Sequence, residues 1–332
     1  MNSALNSMKK NILENKKIFR LLLITLAIFT LFSIMNPDIF LSIKNYKSIS
    51  FQIPELGLLV LAISLAMISG GIDLSVVGTA NLSAITAALI LTTLMPEEPS
   101  VSTLYLYIFI AIICAVIVGG LCGLVNGILV AKLNVPPILA TLGTMSLYTG
   151  ISIVITKGTA IYGFPKQFLF IGNGTIGNTA VPLIIFLVVL AIVVYIFKYM
   201  PFGTKLFLVG TNVKAAEYAG LKKDKIIFYT YLFSGILAAI AGIIIIAKTN
   251  SAKADFGTSY VLQAILIAIL GGVNPDGGEG KFVGILLGLL SVQFLSSGLN
   301  MLRINVYLKE LAWGVLLISV MILNYFDERK NT

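Results

Sequence analysis

The chain has 332 residues, 58% of them hydrophobic and 11% charged, with a formal net charge of +9. That apolar share exceeds the roughly 45–50% of an ordinary soluble domain, and the basic residues are scattered over short loops without an aromatic-basic RNA motif, which excludes nucleic acid as a partner. With no histidine and two cysteines, a zinc site and a His-based catalytic triad are excluded as well.

The first 17 residues are polar and basic, and an apolar run from Ile18 to Met35 follows. The run is longer than a signal-peptide core, and Asn36-Pro37-Asp38 offers no small-x-small cleavage site, so an uncleaved first span is expected. A helix needs about 20 apolar residues to cross the bilayer core. Hydropathy and helix breakers predict ten such segments, at 18–36, 51–69, 73–94, 101–131, 136–156, 180–198, 226–247, 259–272, 281–300 and 306–326. The fold class is therefore an all-α membrane protein, a polytopic helical bundle of about ten transmembrane helices with Gly-rich breaks. A tail at 1–17, a membrane domain at 18–326 and a second tail at 327–332 are its expected divisions. Assigning both tails to the cytoplasm places 15 of the 23 Lys and Arg inside, as the positive-inside rule favours.

Two breaks interrupt the apolar pattern. The first is Ser69-Gly70-Gly71-Ile72-Asp73; the second is GGVNPDGGEGK, with Gly271, Gly272, Gly277, Gly278 and Gly280. Such breaks in comparable positions of two halves are expected where broken helices line a pathway, although tight turns at the cytoplasmic surface would read the same. Asp73 can cap the start of the third span or line the path. Asn81, Asn126, Thr141, Thr144, Gln263 and Asn300 are further path candidates, polar residues in apolar runs, and for each of them hydrogen bonding between helices is the competing reading.

Cys114 and Cys122 share one helical run, which separates their Cα atoms by ~12 Å and rules out a disulfide. Gly119, Gly123 and Gly127 form a stripe at four-residue spacing there, and Gly280, Gly284 and Gly288 form another, each suited to close helix packing, within the subunit in the first place and at a dimer seam as the alternative. The largest polar segment, 197–225, carries six lysines and an amphipathic candidate from Asn212 to Leu221. Asn212 is its expected N-cap, Val213, Ala216, Tyr218 and Leu221 its apolar face, and Gly220 its terminator. This segment suits docking to a partner, and equally suits an anionic lipid surface.

The stretches SGGIDLS (69–75), ATLGTM (140–145), PFGTKLFLVGTNVKAAEYAGL (201–221), SGILAAIAGII (234–244), GTSYVLQAILIAILGGVNPDGGEGKFVGILLG (257–288) and SSGLNML (296–302) together resemble the permease subunits of ribose-type ABC importers. These lie within the wider family that includes branched-chain amino acid permeases, and the similarity runs in order from about residue 20 to 326. It implies a membrane subunit of the bacterial inner membrane that dimerises with an identical or related permease chain. It also implies two ABC ATPase subunits on the cytoplasmic side and an extracytoplasmic solute-binding protein. ATP and Mg would sit on the ATPases, and this chain would bind no cofactor and catalyse no reaction.

In that family a short helix of the large cytoplasmic loop inserts into the ATPase. Ala215, Ala216 and Gly220 match it, with Asn212 at its start; Lys214 replaces the usual acidic residue and Glu217 follows the alanines. Val76-Val77 before Gly78 and Asn274-Pro275-Asp276 also depart from the family pattern. The chain has no GxxxxGK[ST] phosphate loop, since GGEGKF lacks the spacing and the hydroxyl. The implied function is inward passage of a small polar solute, a monosaccharide such as ribose or a sugar-like molecule, by alternating access. The alternative is an ion-coupled transporter, for which Glu55, Asp73 and Glu310 are the acidic candidates.

Overall fold

The computed structural model describes the backbone of residues 2 to 329 and the side chains of residues 18 to 322. The expected tails at 1–17 and 327–332 therefore lie outside the residues whose side chains are described.

Helix α1, Asn2–Met35, carries the first apolar run and ends ahead of α2, Pro37–Phe40. In α3, Ile43–Ile68, Ser42 accepts the Asn45 amide at the start and Pro54 sits inside. After the first glycine break, α4, Val76–Leu89, continues as a π-helical turn through Leu94. Ser100 caps α5, Val101–Gly127, whose end is likewise prolonged by a π-helical turn to Lys132. Helix α6, Pro137–Thr156, follows, begun by a proline whose missing N–H costs nothing at a first helical turn. Strand β1, Ile161–Tyr162, α7, Lys166–Asn173, and the hairpin of β2, Thr175–Ile176, with β3, Thr179–Ala180, lead into α8, Val181–Tyr199.

Next come α9, Pro201–Thr211, α10, Val213–Tyr218, and the long α11, Lys223–Thr249. Strand β4, Ser251–Ala252, pairs antiparallel with β1. The chain ends in α12, Tyr260–Leu270, α13, Phe282–Met301, and α14, Val306–Arg329.

Eight helical segments among the described residues are long and apolar enough to cross a membrane. The 11-residue α12 and the 24-residue α14 occupy the remaining two expected segments. At 1.5 Å per residue α12 is only about 16 Å long, half a bilayer core. The bundle is built around α3, α4 and α11, whose apolar residues are enclosed, whereas α1, α6 and α8 turn residues such as Ile34 and Val154 outward, 81% and 78% exposed. Apolar residues on the outer helices suit a lipid solvent; the chain is a multi-pass membrane protein.

Small residues set the closest approaches. A Cβ on Gly123 would collide with Tyr231 O, one on Gly119 with Ala239 Cβ, and one on Gly127 would lie 3.0 Å from Phe228 O, so the α5 stripe packs on α11 inside the chain. Along α13, Gly284 and Gly288 do the same against Gly271 and Ile267 at the end of α12. Both cysteines are free thiols.

Candidate functional site

The two glycine breaks meet. The Gly278 amide donates to Ile68 O at 2.9 Å, so the second break closes the last turn of α3 across more than 200 residues of sequence. A side chain on Gly277 would stand 2.7 Å from Gly210 O and 2.8 Å from both Gly70 N and Gly70 Cα. One on Gly210 would collide with Ile68 O and reach within 2.5 Å of Gly278 N. Three chain segments thus touch backbone to backbone. Gly277 and Gly278 also hold φ of +98° and +74°, which L side chains avoid, so contact and conformation both require glycine there. Asn274 braces the loop, its Oδ1 accepting the Asp276 amide at 3.0 Å and its carbonyl accepting the Gly277 amide.

Gly210 is the next-to-last residue of α9, which makes this junction the seat of α10. The Asn212 side chain caps α10 by accepting the Ala215 amide at 3.0 Å. Gly220, at φ +80°, ends the turn, with the Leu221 amide donating back to Ala216 O at 3.0 Å. Ala216 is 5% exposed and faces the core beside Leu221. Tyr218, by contrast, is 93% exposed, which corrects its assignment to the apolar face. In a helix this short, Ala216 and Tyr218 lie about 200° apart around the axis and cannot share a side. Lys214, Ala215 and Glu217 are exposed beside Tyr218, and Glu217 pairs with Lys223 at 2.8 Å, tying α10 to the start of α11.

Just beyond the first break lies a buried polar chain. Asp73 is 1% exposed. Its Oδ1 accepts the amide (3.0 Å) and hydroxyl (2.7 Å) of Ser75, and its Oδ2 accepts the hydroxyl of Ser234 on α11 at 2.7 Å. Asn126 on α5 donates to Ser75 Oγ at 2.7 Å and accepts from Thr144 on α6 at 2.6 Å. Thr141 Oγ1 lies 2.9 Å from Ile72 O, within donating distance. Ser75, at the N-cap position of α4, makes no side-chain cap bond of its own. Asp73 therefore closes a turn one step ahead of the helix and joins it to α11. Tyr231 is wholly buried beside this chain, and its hydroxyl has no hydrogen-bond partner among the described residues.

The other three path candidates stand apart from this cluster. Asn81 donates to Ala254 O and Phe256 O, both at 3.0 Å, holding α4 to the segment after α11. Gln263 lines a separate cavity with Glu55 and Glu310. Asn300 accepts from Lys309. Sequence reading saw the two breaks and the docking segment but not that they touch, because nothing local in a glycine names its partner.

The profile of the family described as branched-chain amino acid transport system, permease component, matches residues 45–323. The chain is 34% identical over 323 residues to the ribose import permease protein RbsC of Haemophilus influenzae, covering 96% of this chain and 95% of that one. It is 32% identical over 295 residues to RbsC of Bacillus subtilis, covering 88% of each. The autoinducer 2 import system permease protein LsrD of Photorhabdus temperata is 31% identical over 300 residues, covering 88% of this chain and 86% of that protein. No solved structure matches the chain.

Proposed function

This chain belongs to the family of branched-chain amino acid transport system permease components, and from that premise we propose that it is the membrane subunit of an ABC importer for a small polar solute. A monosaccharide or sugar-like molecule is the solute class, in keeping with the ribose and autoinducer 2 permeases it resembles over nearly its whole length. ATP hydrolysis takes place on separate ATPase subunits, with ATP and Mg bound there. A second permease chain completes the membrane unit, and an extracytoplasmic binding protein delivers the solute. The assembly sits in the bacterial inner membrane with both termini inside and 18–326 as the membrane domain.

The observation that carries this reading is the seating of α10 on the glycine junction. The proposed ATPase contact is the outward face of α10, Lys214, Ala215, Glu217 and Tyr218, with Asn212 and Gly220 fixing its ends. A push on α10 reaches Gly210, and Gly210 abuts both breaks at van der Waals limits. The first break in turn leads within three residues to Asp73 and the hydrogen bonds joining α4, α5, α6 and α11. ATP-driven closure would thus alter the helix arrangement around the path without any cofactor in this chain.

Ion-coupled transport is the second reading, favoured by one observation: Glu55 and Glu310 line a common cavity. Capture of the candidate ATPase by the detergent-solubilised chain separates the two. Wild type should retain it, and Tyr218→Asp should lose it while eluting as a folded protein. An ATPase that fails to bind, with transport undiminished in its absence, would overturn the importer reading.

A further inference from the structure

A cavity of about 150 Å³ lies in the half of the bundle away from the glycine junction, between α3, α12, α13 and α14. Its wall includes Gln52, Glu55, Tyr260, Gln263, Gln293 and Trp313. Glu55 sits 13 residues before the end of α3, about 20 Å from the junction and near the middle of its helix. Pro54 precedes it and removes one rung of helix hydrogen bonding at that point. Tyr260, the first residue of the short α12, meets Glu55 through its hydroxyl.

The chemistry of the wall is selective. Glu55 is 4% exposed, and its Oε1 accepts from Lys248 Nζ at 2.9 Å and from the Tyr260 hydroxyl at 3.1 Å. Its Oε2 has no hydrogen-bond partner among the described residues. Gln293 donates to Gln52 at 2.9 Å, whereas the Gln263 carboxamide makes no hydrogen bond with the described residues. An orphaned oxygen on a buried carboxylate, with a half-buried carboxamide that no described residue pairs on the same wall, is costly unless something visits it. The Lys248 ammonium neutralises Glu55, and Lys309 and Glu310 on the same wall carry opposite charges, so the wall has no net charge to select a cation or an anion. The space equals roughly five waters of liquid volume, the scale of a compact neutral solute.

We propose that this cavity is a solute subsite within the membrane subunit, where an uncharged polyhydroxylated solute is held by hydrogen bonds to Glu55 Oε2 and Gln263 during passage. A hydroxyl group serves both, since it donates to the carboxylate and either donates to or accepts from the carboxamide. The inference rests on the importer reading for its solute class.

Trp313 is the sole tryptophan of the chain and lines the cavity, which gives the test its signal. The full chain in lipid nanodiscs is titrated with D-ribose, D-galactose, myo-inositol and, separately, sodium chloride, while Trp313 emission is followed. At least one uncharged probe should give a saturable change, with its half-saturating concentration raised tenfold or more in Gln263→Leu and in Glu55→Gln. Gln263→Leu leaves the Glu55–Lys248 pair intact, so it remains informative if Glu55→Gln fails to fold. Silence towards all three uncharged probes, a response unchanged in Gln263→Leu, or a response to sodium alone would overturn the subsite. ATPase capture, run on the same preparation, shows separately whether the importer reading stands.

Discussion

Ser234 on α11 donates its hydroxyl to Asp73 Oδ2 at 2.7 Å, a bond between residues 161 positions apart that fastens the start of α4 to the longest buried helix. All three donors to Asp73 are neutral, so the carboxylate is held by hydrogen bonds alone. Removing one donor from a buried carboxylate costs about 1.5–3 kcal/mol. Ser234→Ala should therefore lower the melting temperature of the purified chain in detergent, and Asp73→Ala, which strands the hydroxyls of both Ser75 and Ser234, should lower it further. Equal melting of Ser234→Ala and wild type would show that this bond contributes nothing to holding α4 on α11.

The glycines of the junction and the glycine that ends α10 should respond differently to the same substitution. In Gly210→Ala the new methyl group meets Ile68 O and the Gly278 amide, both backbone, so α9 must lift away and take α10 with it. Gly220→Ala meets nothing within 4 Å and pays only for its left-handed backbone, about 1–2 kcal/mol. Expression and monodisperse elution should be lost or greatly reduced in Gly210→Ala and retained in Gly220→Ala. The reverse order would mean that the contact between α9 and the breaks is dispensable.

What the sequence showed and what it hid follow from the range of each signal. Span positions were legible because twenty apolar residues in a row have few other uses, and Asn212 as a cap was legible because the cap bond is local. The π-helical turns after Leu89 and Gly127 continue the apolar runs without a change of residue type, so nothing marked them. Residues 201–211 form a helix whose buried face, Gly203, Leu206, Val209 and Gly210, is half glycine, which weakens its amphipathic pattern. Glu55 was legible as an oddity in an apolar run, but its partners Lys248 and Tyr260 lie 193 and 205 residues away. Gln263, Glu55 and Glu310 could each be picked out from sequence; that they share a wall required the fold.

The two sides of α10 predict two kinds of defect. Ala216→Asp places a carboxylate against the core beside Leu221, and an unpaired buried charge destabilises the loop itself. Lys214→Glu and Tyr218→Ala alter only exposed atoms and should change stability by no more than about 0.5 kcal/mol, leaving the melting temperature close to wild type. On the proposed reading both outward variants weaken ATPase affinity by tenfold or more, about 1.4 kcal/mol. Surface plasmon resonance with the immobilised chain would measure this, and unaltered affinity in both variants would move the contact elsewhere on the 197–225 segment.

Two ion pairs alike in bond length, Glu217 with Lys223 and Glu55 with Lys248, should differ widely in worth. Glu217 and Lys223 are 44% and 27% exposed at 2.8 Å, so water screens them and the pair contributes about 0.2–1 kcal/mol. Glu217→Ala should be almost silent in a thermal melt, and any small effect should fade as salt rises. Lys248 reaches Glu55 at 2.9 Å, where Glu55 is 4% exposed. Lys248→Met removes the cation and leaves the carboxylate buried with only the Tyr260 hydroxyl as donor, a cost of about 3–5 kcal/mol. Restoring neutrality in the double variant Lys248→Met with Glu55→Gln should recover much of that loss, because the penalty belongs to the stranded charge more than to the missing bond. A double variant no more stable than Lys248→Met would show instead that the pair itself holds α3 to α11.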